Sequence, residues 1–160
     1  MRLLVLPLLV VATVPAAARD PIGTFGRWGA FRDPAPRHCF AISEPVQTVR
    51  GAIQRGFVSV ARWPGAGVRA QLHARLTRPR HPRAAVTMSV GDRRFTLRAG
   101  PSDAWAPDDA TDRAIVAAMR SGRSLSIESL TARGRPFVDV YALHGAATAI
   151  DAATLACARG

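Results

Sequence analysis

The chain has 160 residues, 48% of them hydrophobic and 21% charged, with a formal net charge of +11. These proportions exclude a disordered tail and a polytopic membrane bundle. A single domain of this length buries roughly two-thirds of its unfolded surface, so it needs neither a metal nor a dense disulfide framework to fold.

Residues 1–18, MRLLVLPLLVVATVPAAA, begin with one cation at Arg2, continue through an apolar run and close on three alanines. That three-part pattern predicts a secretory signal peptide cleaved after Ala18, leaving residues 19–160 as one mature domain. The apolar run contains Pro7 and is well short of the about 20 residues that a bilayer-crossing helix needs. No later stretch is long and apolar enough to span, so no transmembrane segment is expected in the mature chain. No Cys follows the run, which leaves a lipoprotein-type anchor without an attachment atom.

The mature chain opens with short strand candidates at residues 25–31, 38–42, 57–62 and 68–73, separated by Pro and Gly clusters. The clearest local signal follows at residues 84–99. Val86, Met88 and Val90 alternate with Thr87 and Ser89. Gly91-Asp92 intervenes, and Phe95, Leu97 and Ala99 then alternate with Arg94, Thr96 and Arg98. Period-two alternation on both sides of a Gly-Asp pair predicts a β-hairpin whose turn needs positive φ at its first central residue. It also puts Arg94 and Arg98 on the same outward face.

In PDDATDRAIVAAMRSG, Pro107 and three Asp stand at the front, Ile115 and Met119 are four apart, Arg120 falls in the last turn and Gly122 follows. Each placement suits a helix and its dipole. A second strand pair is expected at residues 124–131 and 137–143. A short Ala-rich helix at residues 148–156 follows, with Cys157 just past its end. Many short strands and two short helices predict a mainly β fold, an antiparallel β-sandwich or barrel-like domain.

All 22 basic residues are Arg, and residues 46–100 hold eleven of them against Asp92 alone. Such a surplus points to an anionic partner. Export argues against nucleic acid, as does the lack of an RNP-type or zinc-finger motif, so anionic envelope polymers or host-surface molecules are the expected partners. In the loop RLTRPRHPR, Pro79 and Pro82 stiffen the spacing of Arg75, Arg78, Arg80 and Arg83, and guanidinium groups suit forked contact with phosphate. With Arg94 and Arg98 these form the candidate anion-binding set. A solvated basic surface is the plainer alternative.

Exported thiols tend to pair, so Cys39 and Cys157 are expected to bridge, two separate buried thiols being the alternative. No CxxC or HxxxH spacing supports a metal site. Asp139 and Tyr141 share a strand face, but His144 falls on the opposite one, and no Ser or Cys stands in a nucleophile-elbow context. His38 beside Cys39 suggests thiol chemistry only if that sulfur is free. Trp28, Trp63 and Trp105 are expected to fill the core, with sugar stacking as the other use. The chain is therefore read as non-enzymatic, with no catalytic residue, metal or cofactor expected. A periplasmic hydrolase or thiol oxidoreductase is the alternative.

The runs VTMSVGDRRFTL, SDAWAPDDATDRAIVAAMRSG and ARGRPFVDVYALHGAATAIDAATLAC, in this order, resemble the invasion-associated locus B family of bacterial envelope proteins. The resemblance covers residues 25–157 and is most specific over residues 104–122, where Trp105, Pro107, the Asp-rich cap and the Ala-Ala-Met ending fit. It implies a compact β-rich domain that is periplasmic, outer-membrane-associated or secreted. Cys39 and Cys157 match the cysteines that pair in the family. The family takes its name from entry of bacteria into host cells and has no agreed catalytic residue or cofactor. Here Arg135 and Pro136 follow Gly134 where members usually carry small polar residues, and the RLTRPRHPR loop is unusually basic.

Overall fold

The computed structural model describes residues 19–46 and 52–158; the expected signal peptide at 1–18 lies outside the described residues. Ten strands and two helices follow in the order β1 (Asp20–Phe25), β2 (Trp28–Pro34), β3 (Arg37–Ser43), β4 (Phe57–Trp63), β5 (Val68–Arg75), β6 (Val86–Val90), β7 (Arg93–Ala99), β8 (Asp103–Trp105), α1 (Asp109–Ser121), β9 (Ser124–Leu130), β10 (Pro136–Ala142) and α2 (Ala146–Ala158). The strands make one antiparallel sheet in the order β1-β2-β3-β4-β5-β8-β7-β6-β9-β10. The mainly β, antiparallel expectation is met.

Alternation decides which side of each strand is buried. Met88, Val86, Leu72, Ala74, Val58, Ala41, Cys39, Trp28 and Ala30 point inward from successive strands. Ile127, Leu125 and Tyr141 join them from β9 and β10, giving one core. Helix α2 covers the inner face of β1 to β4, and α1 covers β5 to β7. Helix α1 starts where expected, with the Asp108 carboxylate accepting from Thr111 N at 2.7 Å, satisfying one of the donors that every helix start exposes.

The two ends of the strand order come together without forming a ladder. Trp28 Nε1 donates to Ala142 O at 2.9 Å and Val46 N donates to Val140 O at 2.8 Å. The β1–β2 turn also meets the turn before α2, where Gly145 has φ 90° and a Cβ would fall 1.8 Å from Phe25 O. Only glycine fits a backbone approach that close.

Two buried carboxylates complete the backbone hydrogen bonding. On the side of β5 facing β8, Leu76 N donates to Ser102 O. Strand β8 has only three residues, so Leu72, farther along that edge, has no strand beside it. Asp112 of α1 takes its place, accepting from Leu72 N at 2.7 Å. Asp139 of β10 accepts from Thr77 N at 2.9 Å and from Thr77 Oγ1 at 2.5 Å. Burial pushes both carboxyls above the usual Asp range, because desolvation disfavours the charged form.

Two sequence expectations need correction, and one strand, β8, was not expected. The candidate strand at 25–31 is the turn of a hairpin: Gly26, at φ 59°, and Arg27 connect β1 to β2, with Phe25 paired to Trp28. The apolar residues of both strands had blurred into one run. Helix α2 begins two residues earlier and ends two later than expected, so Cys157 lies inside it. Strand β8 is too short to show a period. The Cys39–Cys157 disulfide is present, with Cα atoms 5.8 Å apart, tying α2 to β3 across a sequence separation of 118.

Candidate functional site

The outward face of the sheet carries the residues that alternation excludes from the core. Register places Arg98, Trp105, His73, Ser59, Ile42 and Gly29 in one cross-strand row over β7, β8, β5, β4, β3 and β2. Trp63 and Trp105, expected in the core, belong to this face; Trp28 alone of the three fills the interior. The period of each strand decides this, since Trp105 pairs with His73 and both are one residue out of step with buried Ala104 and Ala74.

Two similar clusters stand on this face. In the first, the Asp103 carboxylate accepts from Arg75 Nε and Nη2 at 2.9 and 3.1 Å and from His73 Nε2 at 2.8 Å. The His73 ring lies parallel to Trp105 at 5.0 Å, and Phe57 meets it edge-on at 5.1 Å. In the second, the Asp33 carboxylate accepts from Arg19 Nε and Nη2 at 2.8 and 3.1 Å, with His38 Nε2 at 3.5 Å. His38 stacks on Trp63 at 3.9 Å. The Arg19 guanidinium holds the Asp33 carboxyl below its ordinary range, and the same bond raises Arg19. Each cluster combines a forked arginine–carboxylate pair with a flat imidazole–indole stack, which fixes the orientation of the rings. Neither cluster was legible in the sequence, because its members are drawn from positions up to 48 residues apart along the chain.

The candidate anion-binding arginines divide. Arg94 and Arg98 are exposed on the outward face of β7, Arg94 within 3.5 Å of Glu128 and Arg98 donating to Pro107 O at 3.1 Å. Arg75 shares that face at the end of β5, forked on Asp103. Arg83 is exposed in the β5–β6 connection, and Arg78 lies near enough to Asp139 for its charge to favour that carboxylate. Arg80 is turned inward on the chain's own backbone, donating to Gly100 O, His81 O, Pro82 O, Ala84 O and Ala99 O, each at 2.8 Å. The stiff loop thus uses its central guanidinium as an internal clamp instead of spacing four cations for a ligand.

The candidate acid–base residues do not assemble. Asp139 and Tyr141 do share the inner face, but both are fully buried. Burial raises the Tyr141 phenol well above its usual range, and its hydroxyl has no hydrogen-bond partner among the described residues. His144 is exposed beside Gly26. Cys39 is closed into a buried disulfide, with His38 on the other side of its strand. The one hydroxyl cross-strand from His73, that of Ser59, donates to the His73 carbonyl at 3.5 Å instead of meeting the imidazole. Among the described residues, no three His, Cys, Asp or Glu side chains are grouped to hold a metal ion, and no helix is long and apolar enough to cross a membrane.

No family model matches the sequence, and no curated protein matches it. Among solved structures, the fold is similar to the crystal structure of invasion associated protein b from Bartonella henselae, with a TM-score of 0.62 and 16% sequence identity. The match covers 86% of this chain and 98% of that one. At this identity the likeness establishes a shared fold.

Proposed function

We propose that this chain is an exported, non-enzymatic binding module of the invasion-associated locus B type, whose basic sheet face engages anionic components of the bacterial envelope or of a host surface. The observation that carries the reading is the alignment of Arg75, Arg94 and Arg98 on one outward face, with Arg83 on the exposed connection between β5 and β6. Several cations fixed on one rigid face raise the local concentration of a polyanion. The terminal pattern of residues 1–18 and the fully paired cysteines support export to an oxidising compartment.

The test is a triple substitution, Arg83→Ser, Arg94→Ser and Arg98→Ser, which spares the Arg75–Asp103 pair and the Arg80 clamp. Polyphosphate binding by the mature chain should weaken at least tenfold at low salt, with a flatter dependence on ionic strength. Unchanged affinity and unchanged salt dependence would remove the basic face from the function. The shared Asp103–His73 hydrogen bond favours a periplasmic hydrolase as the second reading. Turnover of envelope esters that disappears in His73→Gln would establish it.

A further inference from the structure

Exposed apolar side chains are concentrated at one rim of the sheet. Among the described residues five large hydrophobic side chains face solvent, and four of them, Val46, Ile53, Leu130 and Val138, stand around β10. Hydrogen bonds fix their proximity. Val46 N donates to Val140 O at 2.8 Å and Ile53 N to Thr77 O at 3.1 Å, and Thr77 is itself bonded to Asp139, the neighbour of Val138. Leu130 is the cross-strand partner of Pro136. A groove of about 570 Å³, lined mainly by Ala84, Ala85, Leu130, Pro136, Phe137 and Val138, opens here.

Cations frame the same rim. Arg83 lies in the β5–β6 connection, and Arg133 and Arg135 lie in the β9–β10 turn. All three are exposed, and none has a side-chain hydrogen bond or ion pair among the described residues. The two segments are locked together, His81 N donating to Leu130 O at 2.8 Å and Ala132 N to Pro79 O at 3.0 Å. The nearby acids are already engaged, Glu44 by Arg55, Glu128 by Arg94 and Asp139 by Thr77. Apolar side chains thus stand beside uncompensated positive charge on a braced frame.

We propose that this rim docks on the surface of an anionic lipid bilayer. Ile53, Leu130 and Val138 enter the boundary between headgroups and acyl chains, while Arg83, Arg133 and Arg135 meet the lipid phosphates. Three considerations select this occupant. A partner strand cannot extend the sheet along β10, because Pro136 has no N–H and the carbonyls of Val140 and Ala142 already accept from Val46 N and Trp28 Nε1. A soluble polyanion would satisfy the arginines but leave the apolar side chains in water. A folded partner needs about 800 Å² of matching surface per side, whereas a bilayer is engaged by a few apolar side chains together with basic residues drawn to anionic lipid. The rim lies at the β9–β10 end of the sheet, beyond the face that carries Arg75, Arg94 and Arg98, and does not depend on it.

The experiment is sedimentation of the mature chain with phosphatidylcholine vesicles and with vesicles of phosphatidylglycerol and phosphatidylcholine in equal parts. The mixed vesicles should bind it roughly tenfold or more tightly than phosphatidylcholine alone. Arg133→Ser with Arg135→Ser should lose roughly tenfold or more, since an arginine near an anionic surface is worth about fivefold. Ile53→Ser with Val138→Ser should lose roughly fivefold at unchanged charge, with the unfolding midpoint of the parent; Ile53→Ser alone, at a position 75% exposed, repeats the measurement if the pair lowers the midpoint. Arg94→Ser with Arg98→Ser should bind the mixed vesicles as the parent does. The proposal is overturned if the parent sediments with neither vesicle, or if the apolar variants bind like the parent, which would mean adsorption by charge alone. It is also overturned if removing Arg94 and Arg98 abolishes vesicle binding and removing Arg133 and Arg135 does not. The basic-face reading stands or falls separately, on polyphosphate affinity.

Discussion

Replacing Arg80 with Ala should be among the most damaging single changes available on this otherwise tolerant basic surface. Its guanidinium joins two stretches of backbone: residues 81–84 of its own connection, and Ala99 at the end of β7 with Gly100 next to it. Arg80 N also donates to Pro101 O at 2.8 Å, so the backbone starts the junction that the side chain completes. A hydrogen bond with a charged donor contributes about 1.5 to 3 kcal/mol when its acceptor stays buried. The five bonds share one cation, and some carbonyls rehydrate after truncation, so their values do not add. A net cost of about 3 kcal/mol is expected, lowering the unfolding midpoint by roughly 10 °C for a domain of this size. Lysine keeps the charge but offers three donors from one nitrogen in place of a planar five-donor fork. Arg80→Lys should therefore recover less than half the loss. Equilibrium unfolding in urea at pH 7 measures both variants. If Arg80→Ala lies within 0.5 kcal/mol of the parent, or if Lys restores full stability, the clamp is not a stabilising element and the reasoning fails.

Further outcomes follow from the same geometry. Cys39→Ser with Cys157→Ser, which opens a loop of sequence separation 118, should cost about 5 kcal/mol by the chain-entropy relation; chemical denaturation of the double variant and of the parent checks it. Gly145→Ala should cost more than about 2 kcal/mol, since it needs positive φ and drives a methyl into Phe25 O; a thermal midpoint within 2 °C of the parent would contradict that contact. The Asp139 carboxyl is raised by burial, so its contribution is fully present below its unfolded pKa and is lost as pH rises through the folded value. The stability difference between the parent and Asp139→Asn should accordingly shrink with rising pH in urea titrations. Asp151 has the opposite sign: Arg120, bonded at 2.6 Å, depresses its pKa. Its small contribution, about 0.5 kcal/mol for so exposed a pair, is present above the unfolded pKa and vanishes as pH falls through the folded one. Asp151→Asn should therefore match the parent only in strong acid.

Local pattern was enough to place most of the strands and both helices. The β6–β7 hairpin follows from two alternating runs about Gly91-Asp92, and α1 from its Asp-rich start and Gly122 after its end, because those signals lie within a few residues of each other. Residue counting also exposed the arginine-rich third of the chain. What each arginine does was decided by tertiary structure. Arg80 and Arg83 stand three apart in the same Pro-containing loop, yet one is folded onto five carbonyls and the other faces solvent. Likewise Trp28 and Trp105 look alike in sequence, and only strand register puts the first in the core and the second on the outward face. The paired Arg–Asp–His–Trp clusters draw on residues from β2, β3, β4, β5 and β8. Such sites arise from cross-strand neighbours, which the sheet brings within about 5 Å of one another whatever their separation along the chain.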